Sequence, residues 1–282
     1  MLTIGLVDLR KERLDYVPTR LDGWKLVQLA HESQERFERS LRNSTLDAVA
    51  IIGSGTRKTL LAKKALLQGK PVLVDFPPAD SPLRITELTK LATKAGQPIY
   101  SPNLLRNEQG LKELKQRITL SAGAILSLTI MYGANIRPNK PELTMKTIQV
   151  LDTIEWLCES SLDELITEKT SNASSTGLVT LASLDNGVKV LLNICSAAMR
   201  GYPDRFWIDA VFSNGVVHVD PRAQSIRITS FRDGAVKTVN WGTSSLVVAI
   251  ENFTKYVRGE VQSSGLENAD RIFKLARKVL ES

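Results

Sequence analysis

The feature that most constrains this chain is an alternation of short apolar runs with helix-period segments from residue 3 to about residue 132. Each run is short enough to be a buried parallel strand, and consecutive parallel strands need a crossover that a helix supplies. Such units, joined by right-handed connections, build a doubly wound parallel sheet. Ligands of these sheets bind at the carboxyl ends of the strands, so this edge is the first place to look for a functional site.

The elements of this region follow from the apolar runs and from the helix period between them. The predicted strands are Thr3–Val7, Trp24–Ala30, Asp47–Gly53, Pro71–Asp75, Gln97–Ser101 and Ala124–Met131. The predicted helices are Ser33–Arg42, Thr56–Gln68, Ser81–Lys94 and Asn107–Arg117. Gly69 and Gly96 end two of these helices, as a left-handed C-cap requires.

The second half of the chain changes its period after a helix predicted at Glu142–Glu159. Strand-like stretches follow from Asp163 to Trp241, joined by Asn-Gly and Asp-Gly turns that tolerate positive φ, and two helices close the chain at Ser245–Arg258 and Leu266–Glu281. We therefore predict an α/β fold with two domains. Residues 1–120 form a Rossmann-like domain of the nucleotide-binding type, and residues 121–282 form an α+β substrate and oligomerisation domain with a mainly antiparallel sheet.

Composition excludes several other functions. The chain has two cysteines and two histidines, which predicts neither a disulfide framework nor a metal site, and a Ser-His-Asp triad is hard to assemble. The net charge of +7 is spread out, so no nucleic-acid role is expected. No run approaches the roughly 20 apolar residues of a membrane span, and the first twenty residues lack a secretory signal. We expect a cytoplasmic protein without a membrane partner.

Three strings resemble the Gfo/Idh/MocA family of NAD(P)-dependent oxidoreductases, whose members work mainly on sugars and related metabolites. They are DAVAIIGSGTRKTLLAKKALLQGKPVLVDFPPADSPLRITELTKLATKAG at residues 47–96, MKTIQVLDTIEWLCE at 145–159 and ENADRIFKLARKVLES at 267–282. The resemblance runs nearly end to end and lies in the order and spacing of the strings. It implies a Rossmann-like domain with an NAD(P) cofactor and a second domain that binds substrate.

The family's glycine-rich turn after the first strand is changed in this chain. Its three glycine positions fall on Asp8, Arg10 and Arg13. In a dinucleotide site these glycines let the main chain approach the pyrophosphate, whereas side chains here would fill that space, and Asp8 and Glu12 would repel the phosphates. Pro18 interrupts the helix that should follow. The turn is therefore either an ordinary charged loop or one whose basic side chains hold a phosphate.

Other positions implied to contact the cofactor can be located in the same way. His31 stands where the family often has an acid for the adenosine ribose, and Gly53 and Ser54 end the third strand, where main-chain atoms of the family meet the cofactor. Asp75-Phe76-Pro77 replaces the family's Glu-Lys-Pro, whose lysine assists proton transfer. Phenylalanine carries no proton, although a biliverdin-reductase branch of the family also has an aromatic residue there.

The third family motif, Asp-x-Gly-x-His-x-x-Asp, opens the second domain. It aligns with Met145, Thr147, Gln149 and Asp152, so that Gln149 replaces the histidine that commonly serves as acid and base. Residues 145, 149 and 152 share one helical face, and Gln149 can form hydrogen bonds but cannot shuttle a proton. Asp152 could act alone as a base, or it could be a structural ion-pair partner. Asn103, after the fifth strand, matches a family asparagine and is the remaining candidate for the cleft.

Three functional hypotheses follow. In the first, the chain has lost standard NAD(P)-dependent dehydrogenation and binds a small molecule or a protein partner through the old cleft and the exposed sheet. The second is an NAD(P)H-dependent reductase with an atypical cofactor site, whose hydride acceptor needs little acid catalysis. The third is a cofactor-free lyase or isomerase that uses Asp152 with Asn103 or Gln149.

Oligomerisation follows from a separate pattern. Val188, Val190 and Leu192, like Phe206, Ile208 and Ala210, alternate with further apolar residues. One face of the antiparallel sheet should cover the closing helices, and the other would be an apolar patch that needs a partner. Because family members often dimerise through this sheet, we expect a homodimer or a heteromer with a related subunit.

Overall fold

The structure is a computed structural model. It describes residues 1–9, 20–21, 23–29, 34–42, 45–53, 55–120, 125–134, 141–172, 174–197 and 205–281. The chain forms two compact units, the first made of residues 1–104 and 244–273, and the second of residues 105–243 and 274–282. This division differs from the predicted boundary after residue 120. Residues 105–120 belong to the second unit, and a segment near the end of the chain returns to the first.

The first unit contains the predicted parallel sheet. Its strands are β1 (Leu2–Asp8), β2 (Arg20–Leu21), β3 (Trp24–Gln28), β4 (Ala48–Ile52), β5 (Val72–Val74) and β6 (Ile99–Tyr100). They lie in the order β2-β3-β1-β4-β5-β6. All neighbours are parallel except β2, which pairs antiparallel with β3. The Rossmann-like arrangement predicted from the alternation is therefore confirmed.

Helices cover both faces of this sheet. The first group is α1 (Gln34–Arg42), α2 (Thr56–Leu67) and α3 (Pro82–Ala95), which share one apolar core with β1, β4 and β5. Ser81 caps α3 by accepting a hydrogen bond from the amide of Arg84, and Gly96 ends it in the left-handed conformation that its sequence predicted. The opposite face of the sheet is covered by α7 (Ser245–Val257).

The position of α7 corrects the sequence-based assignment of this helix to the second domain. Leu246, Ile250 and Phe253 are spaced four and three residues apart and therefore lie on one side of the helix. All three are buried against the first sheet, in the same cluster as Ile4 and Ala50. An amphipathic period shows that a helix buries one face, but it does not show which sheet receives that face.

The second unit is built on an eight-stranded sheet. Its strands are β7 (Ile125–Ala134), β8 (Leu162–Ser171), β9 (Ser175–Leu184), β10 (Lys189–Ala197), β11 (Arg205–Phe212), β12 (Gly215–Asp220), β13 (Ser225–Ser230) and β14 (Val236–Asn240). Their order is β14-β13-β12-β11-β7-β10-β9-β8. Only the β7–β10 pairing is parallel, so the predicted, mainly antiparallel sheet is confirmed.

The remaining helices are α4 (Leu104–Asn107), α5 (Gln109–Leu120), α6 (Pro141–Cys158) and α8 (Ala269–Glu281). The helix predicted at Asn107–Arg117 corresponds to α5, which begins at Gln109, whereas Asn107 ends the separate short helix α4. Side chains of the second sheet alternate as predicted, because Val190, Leu192 and Ile194 are buried whereas Leu191 between them is 37% exposed. Among the described helices none is sufficiently long and apolar to span a bilayer.

Candidate functional site

The first candidate site lies where β1 and β4 meet at the carboxyl edge of the first sheet. The chain leaves β1 toward β3 on one side and later returns to β4 on the other, so this edge is the switch point at which such sheets bind ligands. Asp8 ends β1 as a half-buried residue. The amide of Leu9 still donates to the carbonyl of Ile52 at 2.7 Å, so the two strands stay paired up to this edge.

Two glycines with positive φ lie between β4 and α2. Gly53 has φ of 130° and Gly55 has φ of 92°, values that side chains rarely adopt. Gly55 is the N-cap of α2 and supplies no side-chain cap, and a side chain built there would meet nothing within 4 Å. A helix N-terminus thus begins beside open space at Gly55, and such an end favours an anion.

A buried ion pair joins this turn to the end of β5. The Lys58 ammonium donates to the Asp75 carbonyl oxygen and to Asp75 Oδ1, both at 3.0 Å. Asp75 Oδ2 accepts a hydrogen bond from the amide of Gly53 at 3.3 Å. The Asp75 carboxylate therefore binds groups of its own chain on both oxygens. The sequence analysis identified Asp75 as a candidate site residue. It did not identify Lys58, because in the sequence this lysine is one residue of a short basic patch.

The residues after Asp75 are buried as well. Phe76 is 1% exposed, and its amide donates to the carbonyl of Pro102 at 3.0 Å. The Phe76–Pro77 peptide bond is cis. Asn103, on the neighbouring turn, is 5% exposed. Phe76 is thus a packing residue at the position where the family resemblance implies a proton-carrying lysine.

The second candidate site lies on α6 in the second unit. Gln149 is 8% exposed and Asp152 is 5% exposed, and Met145 shares their burial at 3%, as expected for one helical face. Asp152 Oδ1 accepts a short hydrogen bond from Arg106 Nη2, which also donates to the Asp152 carbonyl at 3.3 Å. Asp152 is therefore an ion-pair partner of Arg106, the structural alternative considered for it from sequence.

Arg106 belongs to a larger cluster that fastens α5 to α6. Its guanidinium carbon lies 6.0 Å from the ring centroid of Trp156, and Lys115 Nζ lies 5.1 Å from the same centroid. Lys115 also donates to the Trp156 carbonyl at 2.6 Å and to Glu159 Oε1 at 2.7 Å. Sequence reasoning missed this cluster because its members are far apart along the chain and each is an ordinary surface residue type.

Burial keeps two other titratable side chains in their neutral form. Burial raises the pKa of Cys158 to about 12, against a small opposing effect of Lys115. Burial also raises the pKa of Tyr100, whose ring stacks on Phe253 with centroids 6.2 Å apart. Both side chains stay protonated at neutral pH. Within the described ranges no group of three potential metal ligands occurs, and Arg10, His31 and Ser54 lie outside those ranges.

At the described positions that the resemblance implies for cofactor and proton transfer, this chain carries other residue types than the family. An aspartate ends β1 where the resemblance implies the first glycine, and buried Phe76 replaces the lysine. Gln149 replaces the histidine, and Asp152 is bound to Arg106. Neither Phe76 nor Gln149 can exchange a proton with a substrate, so we derive no hydride-transfer step.

Comparison with solved structures identifies the fold. A dehydrogenase from Chromobacterium violaceum matches with a TM-score of 0.77 and 14% identity, over 100% of this chain and 95% of that one. An aldose-aldose oxidoreductase from Caulobacter crescentus, complexed with glycerol, has a TM-score of 0.74 and 13% identity, over 99% and 96%. A UDP-N-acetylglucosamine 3-dehydrogenase from Acidithiobacillus ferrooxidans has a TM-score of 0.72 and 15% identity, over 99% and 96%. No family model and no curated protein matches the sequence.

Proposed function

We propose that this chain, which has the fold of the Gfo/Idh/MocA-type oxidoreductases, binds a small molecule at the carboxyl edge of its first sheet and does not carry out ordinary NAD(P)-dependent dehydrogenation. The observation that carries the proposal is that both carboxylates at the sequence-matched positions are already bound. Lys58 and Gly53 hold Asp75, and Arg106 holds Asp152. We also propose that the protein is located in the cytoplasm.

Dehydrogenation normally depends on a side chain that can accept or donate a proton. Moving a hydride to or from a carbon that bears oxygen also requires a proton to move to or from that oxygen. A positioned acid or base lowers the barrier by roughly 3–5 kcal/mol, since such groups contribute about 10²–10⁴ in rate. Phe76 and Gln149 cannot make this contribution, whereas the glycine turn after β4 still offers a place for a ligand.

Titration with pyridine nucleotides tests the proposal. NADH and NADPH are added separately to the full chain, and binding is followed by nicotinamide fluorescence and by calorimetry. We expect neither the unaltered chain nor the Asp8→Gly variant, which restores one glycine position, to bind either nucleotide with submillimolar affinity. Submillimolar binding by the unaltered chain, together with reduction of a carbonyl substrate, would overturn the proposal.

A second candidate function is an NAD(P)H-dependent reductase with an atypical cofactor site. The observation that favours it is the start of α2, where Gly55 supplies no side-chain cap and open space lies beside a helix N-terminus, the end of a helix that favours a phosphate. The same titration distinguishes it, because nucleotide binding would then weaken on Gly55→Val. The cofactor-free lyase or isomerase is disfavoured by the Arg106–Asp152 pair.

We further propose that a second copy of this chain covers the exposed face of the second sheet. Ile166, Leu181 and Leu191 lie side by side there on β8, β9 and β10, exposed by 67%, 58% and 37%. They line a groove of about 350 Å³ whose edge carries Glu164 and Lys189. Because one surface bears both charges beside an apolar row, a copy related by a two-fold axis can match it with itself.

Light scattering during size-exclusion chromatography tests this partner. A dimer that separates into monomers on Leu181→Lys, but not on exposure-matched Leu83→Lys in the first unit, supports the proposal. Cys195 lies on the same face and is exposed, so its reaction with a thiol reagent should slow as the protein concentration rises. A protein that stays monomeric at high concentration would contradict the proposed dimer. If a related subunit and not a second copy covers the sheet, mass spectrometry of the purified complex would identify that subunit.

A further inference from the structure

The helices α1, α2 and α3 carry most of the positive charge of the chain. Besides the buried Lys58, they contain nine basic residues against three acidic ones, a surplus of six, whereas the whole chain has a net charge of +7. All nine are at least partly exposed. Strands separate these helices in the sequence, but the fold packs all three on one face of the first sheet. We call their outer surface the basic layer.

Two ion pairs connect the helices of the basic layer. Lys64 Nζ lies 2.9 Å from Glu38 Oε1 and links α2 to α1, and Lys63 Nζ lies 3.1 Å from Glu87 Oε2 and links α2 to α3. Two of the three acidic side chains of the helices are therefore used inside the layer. Because each pair cancels one charge of either sign, the surplus of six remains on the outer surface.

Three leucines project from the same surface. Leu60, Leu67 and Leu83 are 43%, 62% and 70% exposed. Leu60 and Leu67 flank Lys63 and Lys64 on one side of α2, because residues three, four and seven apart share a helical face. Leu83 lies in the first turn of α3. A single exposed leucine is ordinary, but three leucines among basic side chains make a surface that is both apolar and cationic.

A membrane surface that contains anionic lipid matches this combination. A polybasic surface and a small apolar anchor each attach a protein weakly, and stable attachment needs both. The aliphatic stems of lysine and arginine can lie beside the leucines while their charges stay at the lipid headgroups. A fluid bilayer admits separate leucines, whereas an acidic folded protein would need a pocket for each. The surface therefore favours lipid over an acidic protein.

We propose that the basic layer is a peripheral binding face for anionic phospholipid. The expectation of no membrane partner came from the lack of a long apolar run in the sequence, and attachment to a membrane surface needs no such run. The inference depends neither on the ligand proposed at the sheet edge nor on the dimer proposed for the second sheet.

Sedimentation of the full chain with vesicles tests this face. Vesicles of phosphatidylcholine alone are compared with vesicles that also contain phosphatidylserine. We expect binding only to the second kind, and its loss at about 1 M salt, where the Debye length is about 3 Å. Lys90→Gln with Lys94→Gln, and separately Leu67→Gln with Leu83→Gln, should each weaken binding roughly tenfold. Because all four side chains are exposed, thermal unfolding should stay unchanged.

Matched substitutions outside the basic layer supply the controls. Lys237→Gln with Lys255→Gln removes the same charge from exposed positions on β14 and α7, and Leu120→Gln with Leu126→Gln removes two exposed leucines from the second unit. Both control variants should bind like the unaltered chain. Equal weakening by the controls, or binding that ignores the Leu67 and Leu83 substitutions, would show a general attraction to anions and overturn the proposal. Failure to bind phosphatidylserine vesicles would also overturn it, including the case in which an acidic protein occupies this face.

Discussion

Replacing Arg106 with methionine tests whether Asp152 is an ion-pair partner. The substitution leaves a carboxylate that is 6% exposed without its cation. Breaking a fully buried pair in this way costs about 3–5 kcal/mol. The Arg106 side chain is 32% exposed, so solvent screens part of the interaction, and we expect a loss of about 2 kcal/mol in the free energy of unfolding. This corresponds to a fall in Tm of roughly 4–8 °C.

Urea unfolding followed by tryptophan fluorescence measures this loss, since Trp156, Trp207 and Trp241 lie in the second unit. Combining Arg106→Met with Asp152→Asn removes both charges, and the coupling energy should be about 1–2 kcal/mol. Arg277→Met is the control, because Arg277 and Glu281 form an exposed pair in the same unit and no measurable change is expected. A single Arg106→Met variant as stable as this control would refute the assignment of Asp152 to a structural pair.

Three further predictions concern other parts of the chain. Gly265→Ala, at φ of 80°, places a methyl group against the carbonyl of Ser101, whereas at Gly259, with φ of 76°, nothing lies within 4 Å. The free energy of unfolding should therefore fall by at least about 1 kcal/mol more on Gly265→Ala than on Gly259→Ala, and denaturant unfolding measures both losses. Burial alone would raise the pKa of Glu267, but hydrogen bonds accepted in the turn at residues 263–265 hold the pKa below its ordinary value. This stabilisation is present above the unfolded pKa of about 4.3 and is lost as the pH falls through the lowered folded pKa, so Glu267→Gln should lower Tm at pH 7 and have a smaller effect as the pH is reduced below about 4.3. Cys158, with a pKa of about 12, should resist thiol reagents at pH 8 until the protein unfolds, as counted by thiol titration.

The sequence predicted the architecture because the fold depends on periodicity. Strands of the first unit read as short apolar runs, and the two faces of β10 read as alternation, with Val190 and Leu192 buried and Leu191 exposed. The helix α7 was assigned to the wrong sheet for the same reason. Its period specifies one buried face, while only tertiary packing decides that Phe253 contacts the first sheet.

The candidate site was less predictable because its contacts are long-range pairs. Asp75 and Asp152 could be located by family spacing, but their partners Lys58 and Arg106 are separated from them by 17 and 46 residues. Nothing in a helix sequence marks one lysine as buried when Lys63, on the same helix, is partly exposed. Whether each carboxylate is a base or an ion-pair partner depends on those contacts, so this question required the structure.

Crystals soaked with NADPH test the central claim most directly. Asp8 stands where a glycine would admit a diphosphate, and the Asp75 carboxylate is bound by Lys58 and Gly53, so we expect no catalytically oriented cofactor at this edge. Difference density should therefore show no ordered nucleotide along the carboxyl end of β1. A fully ordered NADPH there, with its diphosphate against the main chain after Asp8, would contradict the account.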